Sequence, residues 1–211
     1  MSSELPGAFP ARRGVCLVVA APSGAGKSSI TRALLAADSG LELSVSATTR
    51  APRAGERDGV HYHFRSPEAF AVMVAQGQML EWASVFGNSY GTPRRAVETA
   101  LLAGRDVVFD IDWQGCRQLR DALPGDVVSV FILPPTLAAL QSRLEARGDG
   151  AAEIARRMQA ARDEISHWAE FDHVIINQEF GVALTSVRAV LDAARTARTR
   201  LPGLSAFVAA L

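Results

Sequence analysis

Lys27 and Ser28 stand at the end of the turn Ala21-Pro22-Ser23-Gly24-Ala25-Gly26, an order of residues suited to holding phosphate. Glycines at 24 and 26 let successive backbone N–H groups point inward as a concave anion nest, and the helix that follows aims its positive dipole end at the same place. A lysine there reaches the outer phosphates of a nucleoside triphosphate, and the serine hydroxyl is a hard oxygen ligand for Mg²⁺. The general pattern for such loops opens with glycine where this chain has Ala21, so position 21 must hold a backbone angle that tolerates a Cβ. A second group of cations follows in Ala47 to Gly59, where Arg50, Arg53 and Arg57 fall within eight residues. A solvated loop is the plain reading, and a second phosphate site beside the first is the sharper one. Arg143 and Arg147 precede the break Gly148-Asp149-Gly150, and Arg156, Arg157 and Arg162 follow it. That pattern suits either a solvated hairpin or a mobile one that brings arginines onto a transferring phosphoryl group. Asp110 ends the apolar run Asp106 to Asp110, a position from which a carboxylate can hold Mg²⁺ or its waters, and Asp112 follows on the turn.

The elements that must position these groups can be read from apolar spacing. Val15 to Ala20 is a near-continuous apolar run of strand length, as a parallel strand covered on both faces requires. Ile30, Leu34 and Leu35 recur at helical spacing until Asp38-Ser39-Gly40 ends the helix, and Leu41 to Ser46 alternates as a second strand. After the polar segment 47–59, His61 to Arg65 is a short strand and Ser66-Pro67-Glu68 opens a helix that Gly77 closes. Met79 to Phe86 and Ser89 to Thr92 read as strands joined at Gly87-Asn88, and Pro93 starts a helix reaching about Ala103. Asp106 to Asp110, Val127 to Leu133 and His173 to Asn177 are core strands, and Val182 to Arg198 a covering helix. The expectation is an α/β fold: a parallel sheet flanked by helices, from residues 14–46 and 104–198, with an inserted mixed subdomain at 47–95 and a helical lid at about 138–162. Residues 1–13 and 199–211 read as tails.

Composition bounds the partners. The chain has 211 residues, 48% of them hydrophobic, enough for a full core without staples. Its 22 basic and 22 acidic residues cancel, so no bulk field favours nucleic acid or an anionic membrane, and phosphate affinity must come from local clusters. Cys16 and Cys116 have neither CxxC spacing nor a zinc-binding neighbourhood and are expected to be buried, reduced thiols of a cytoplasmic protein. No segment approaches the ~20 apolar residues that cross a bilayer.

The chain resembles the guanylate kinases over roughly residues 14–198. The motifs are APSGAGKSS at 21–29, SATTRAPRAGERDGVHYHF at 46–64, LEWASVFGNSYGT at 80–92, VVFDIDWQG at 107–115, RLEARG at 143–148 and VIINQEF at 174–180. The resemblance implies a P-loop NTPase-type fold whose inserted subdomain binds GMP, and transfer of the ATP γ-phosphoryl group to GMP and dGMP with Mg²⁺, in purine nucleotide metabolism. It places ATP on residues 21–28, with Asn177 near the adenine, and a GMP-phosphate clamp on Arg50, Arg53, Tyr62 and Tyr90, with Glu56 orienting the arginines. The guanine readers fall on Ser46, Glu81, Thr92 and Asp112. The chemistry agrees, since a carboxylate such as Glu81 can accept from guanine N1–H and N2 together, and a hydroxyl at Ser46 or Thr92 can donate to O6. Lys27, Arg50, Arg143, Arg147 and Arg157 would neutralise the transferred group, and Ser28 with Asp110 would hold the metal. The stretch between Arg147 and Arg157 is a residue shorter than the common family pattern, so Arg156 and Arg157 are both open as the second lid arginine. Without ligands the like charges of the two arginine segments are expected to hold the cleft open. An inactive phosphopeptide-binding scaffold of the same family and a ribose-bisphosphate kinase of the same fold are the alternatives. The retained Lys27, Ser28 and lid arginines speak against the first, and Glu81 with GNSYGT against the second. Oligomeric state is left open.

Overall fold

The computed structural model of the protein describes residues 11–85, 87–146, 148 and 150–211. In chain order, β1 (Cys16–Ala20) runs through the glycine turn into α1 (Lys27–Ala37) and β2 (Leu41–Leu43). Then come β3 (Ala47–Thr48), β4 (His63–Phe64), α2 (Pro67–Ala75), β5 (Met79–Val85) and β6 (Asn88–Pro93). α3 (Arg94–Leu102), β7 (Asp106–Asp110), α4 (Trp113–Ala122), β8 (Val127–Leu133), α5 (Leu137–Glu145) and α6 (Ala151–Ser166) follow, then β9 (His173–Ile176), α7 (Phe180–Arg195) and α8 (Leu204–Ala209).

Five strands form a parallel sheet in the order β2-β7-β1-β8-β9, with Val18 opposite Phe109 on one side and Ser129 on the other. β1 is central and reads apolar throughout because both its faces are covered. Leu17 and Val19 pack with Ile30 and Leu34 of α1 and Val187 and Leu191 of α7, whereas Cys16 and Val18 pack with Val97 and Leu101 of α3 and Leu119 of α4. Both thiols are buried and free, which pushes the Cys16 pKa up to about 12 and that of Cys116 up to about 11. Because β1 leads through α1 to β2 on one side, whereas β7 leads through α4 to β8 on the other side of β1, the crevice at the carboxyl end of β1 is the place where a doubly wound sheet binds ligands. The glycine turn sits there.

A second, mixed sheet has the order β4-β3-β6-β5, and β5 pairs antiparallel with β6 so that Glu81 lies opposite Thr92. Ser66 caps α2 by accepting from the Ala69 N–H, as the Ser-Pro-Glu signal predicts.

Three local expectations change. Ala47-Thr48, read as the start of a polar loop, is a buried inner strand of the second sheet, paired with both β4 and β6. Its partners lie 16 or more positions away in sequence, beyond the reach of local spacing. Residues 113–122, given no element from the sequence, form α4, whose buried positions are only Gly115, Cys116 and Leu119. The stripe is too narrow to show as helical period. The 199–211 tail is folded: Arg200 is 4% exposed, pairs with Asp126 at 2.8 Å and donates to the Gly14 carbonyl, and α8 follows. The 1–13 tail lies largely outside the described residues, but Arg12 and Arg13 are tied to Asp106 and Asp126. Among the described residues no helix is long and apolar enough to cross a membrane.

Candidate active site

The turn after β1 holds its shape through φ angles of 94° at Gly24 and 104° at Gly26, a left-handed backbone that only glycine adopts without strain. A Cβ at Gly26 would also stand 2.4 Å from the Asn177 amide nitrogen. Asn177, at the end of β9, is buried and donates to the Ala25 carbonyl at 2.7 Å, while Arg143 of α5 donates to the Asn177 carbonyl at 2.9 Å. Asn177 therefore braces the loop through its amide nitrogen. Ala21 to Gly24, Gly26 to Ser29, Asp110 and Glu164 line a cavity of about 290 Å³. Inside it, Lys27 Nζ lies 2.5 Å from Asp110 Oδ1 across the carboxyl ends of β1 and β7.

A second cavity, about 260 Å³, is lined by Ser28, Thr31, Ser44, Ser46, Tyr62 and Asp110 among others. Ser28 and Asp110 are thus the wall common to both. Above it, Arg50 makes a two-pronged pair with Glu56 at 2.9 and 3.0 Å, and Glu56 also accepts from the Arg53 N–H at 2.7 Å. Those donors hold the Glu56 carboxyl down at about 2. The Arg50 guanidinium lies 5.3 Å from the Tyr62 ring centre, and the Tyr62 and Tyr90 rings meet edge-on at 6.1 Å. Arg50, Tyr62 and Tyr90 are brought together as one polar, cationic wall.

On the same face of the second sheet as Tyr90, two residues further along β6, Thr92 Oγ donates at 2.7 Å to Glu81, which is 6% exposed. Burial is the main force raising its pKa, and the charge of Asp112 adds to it. Asp112 caps α4 by accepting from the Gly115 N–H at 2.9 Å, and Gln118 of α4 exchanges two hydrogen bonds with the Trp82 backbone. Glu81 and the exposed Asp112 thus put two carboxylates near each other, each already accepting a hydrogen bond. The one hydroxyl proton of Thr92 goes to Glu81, so Thr92 positions that carboxylate and cannot at once donate to a base; Ser46 keeps that capacity.

The family model for guanylate kinase matches residues 13–194. The chain belongs to the guanylate kinase family. It is 65% identical over 189 residues to a guanylate kinase of Granulibacter bethesdensis, covering 90% of this chain and 89% of that one. With a guanylate kinase of Gluconobacter oxydans it shares 61% identity over 94% of this chain and 96% of the relative. The crystal structure of guanylate kinase from Anaplasma phagocytophilum superposes with a TM-score of 0.76 at 32% identity, covering 95% of this chain and 96% of that one. All six motifs quoted above fall within the span of that match.

The lid helices complete the site. Arg157 of α6 donates to Ser23 Oγ at 2.9 Å and to Glu153 at 2.7 Å, whereas Arg156 turns to Glu153 on the outer side and is exposed. Of the two arginines left open by the sequence, Arg157 is the one that touches the phosphate loop. Arg147 lies outside the described residues. Arg50 and Arg157 are ion-paired with Glu56 and Glu153, and Arg143 donates to a backbone carbonyl. Sequence reasoning missed Glu164, whose carboxylate enters the phosphate cavity from α6. Its signal was its place two helical turns after Arg157, on the same face. Arg53 presents its backbone, not its guanidinium, to Glu56.

Proposed function

We propose that the protein transfers the γ-phosphoryl group of ATP to GMP, giving ADP and GDP. The observation that carries this is the shared wall of Ser28 and Asp110: a phosphate cavity built on a glycine nest and a lysine adjoins a second cavity lined by Tyr62, whose ring lies against the Arg50 guanidinium. Donor on one side and acceptor on the other would meet at that wall. Guanine selection falls to Glu81 and Asp112, whose carboxylate oxygens have lone pairs to accept from the N1–H and N2 donors of guanine and find no such pair on adenine.

A phosphate monoester with its second pKa of ≈ 6 is largely dianionic at pH 7, so the acceptor needs no general base. The chain's task is positioning and charge neutralisation of a loose transition state. Lys27 would leave Asp110 for the β- and γ-oxygens, Arg143 and Arg157 would turn from loop and helix acceptors to the transferred group, and Arg50, fixed by Glu56, would steady the acceptor phosphate. The hydroxyl of Ser28 and the carboxylate of Asp110 are hard oxygens on one wall, a donor set that fits Mg²⁺, which completes its shell with phosphate oxygens and water. Held by Ser28 and Asp110, the ion would supply neutralisation of the phosphate charge. Release of ADP measured in turn with GMP, AMP, dTMP and a ribose bisphosphate as acceptor tests the assignment. Strong preference for GMP is the expected result, and turnover with the ribose bisphosphate in its place would overturn it.

A further inference from the structure

Glu164 is the feature that the mechanism above leaves without a task. It projects from α6 into the cavity of the phosphate loop, where its carboxylate faces the Ser23 N–H and the Lys27 ammonium. Burial opposes its charge and Asp112 adds like charge, while Lys27 and the Ser23 N–H favour the ionised form. The same helix reaches Ser23 a second time through Arg157, whose guanidinium meets the hydroxyl at 2.9 Å. The lid helix α6 therefore meets the phosphate loop at Ser23 through Arg157 and places Glu164 in the same cavity.

We propose that Glu164 is the resident anion of the donor-phosphate site: it occupies part of the nest when the lid closes on an empty loop, and a nucleotide polyphosphate must displace it to bind. A cationic nest is unstable without an anion, and a lid-borne carboxylate supplies one at no translational cost. A polyphosphate entering that cavity brings its charge against this carboxylate, and two anions in one partly enclosed cavity repel each other. Asp110, the other carboxylate of the cavity, sits on a rigid strand end and can remain beside the phosphates through a cation; Glu164 sits on the lid and can swing away with it. The residue thus sets how tightly the donor is held and ties donor binding to release of α6 from Ser23.

The inference rests on the assignment of residues 21–28 as the donor-phosphate site, and one titration separates the two. Binding of inorganic pyrophosphate, without metal, is measured by calorimetry on the full chain for the wild type and for Lys27→Ala, Glu164→Gln and Glu164→Asp. Lys27→Ala should weaken binding; if it does not, the loop assignment itself fails. Glu164→Gln, which keeps the shape and removes the charge, should bind pyrophosphate about tenfold more tightly. Glu164→Asp, which withdraws the charge by one methylene, should fall between it and the wild type, and the KM for GMP should stay within about twofold for both. Unchanged or weaker binding in both Glu164 variants would overturn the proposal, since a carboxylate that serves the bound nucleotide or merely supports the fold cannot be a competitor.

Discussion

Replacing Glu81 by glutamine tests base reading with little change of shape. The wild-type side chain has one oxygen held by Thr92 at 2.7 Å and the other close above Gly115, 3.2 Å from where a Cβ would stand there. That confinement gives the new amide two placements. With the NH₂ toward Thr92, a neutral carbonyl faces guanine where a charged acceptor stood. With the NH₂ toward guanine, donor faces donor. Hydrogen bonds to charged groups contribute ~1.5 to 3 kcal/mol and neutral ones ~0.5 to 1.5, so two weakened contacts cost about 2 to 4 kcal/mol of transition-state binding. In kcat/KM for GMP that is a loss of about 30-fold to 10³-fold. The assay is ADP release at subsaturating GMP, run beside the trace rate with AMP, with the melting temperature recorded to show that the fold is intact. Equal loss with both acceptors would refute the reasoning, because a residue that only supports the second sheet cannot tell the bases apart.

Lys27→Ala should leave the melting temperature nearly unchanged, since the ammonium's partner Asp110 is partly solvated, yet lower kcat by at least ~10³. Arg157→Ala should lower kcat by ~10² or more while Arg156→Ala stays within a few-fold, because only Arg157 reaches the loop; the reverse order in steady-state kinetics would misplace the lid. Glu81 has a raised pKa in the fold, so the native state binds its proton more tightly than the unfolded chain and stability is lost as pH rises above the ordinary value of 4.5. Thermal melts of wild type and Glu81→Gln should therefore diverge in favour of the variant as pH increases from there, and parallel curves would show that Glu81 pays no burial cost. Arg200→Ala should cost about 3 kcal/mol in urea unfolding by stranding the buried Asp126 with only Arg13, and a change under ~0.5 kcal/mol would mean that the C-terminal segment does not brace the sheet.

The phosphate loop, the core strands and the arginine clusters were legible in the sequence because each is written in neighbouring residues. An apolar run such as 15–20 states its own burial, and Gly24, Gly26, Lys27 and Ser28 carry their chemistry in their order. Family motifs extended this to Arg50, Glu56, Glu81 and Asp112, whose spacing no periodicity explains. What the tertiary structure decided is which polar atoms are already taken. Thr92 gives its proton to Glu81, Asn177 gives its amide to Ala25 across 152 positions, and Arg157, not Arg156, meets Ser23 across 134. Glu164 enters the phosphate cavity, and Arg200 anchors a segment that reads as a tail. Hydrogen bonds are directional and each proton has one destination, so such assignments follow from the packing of distant elements and leave no trace in local spacing.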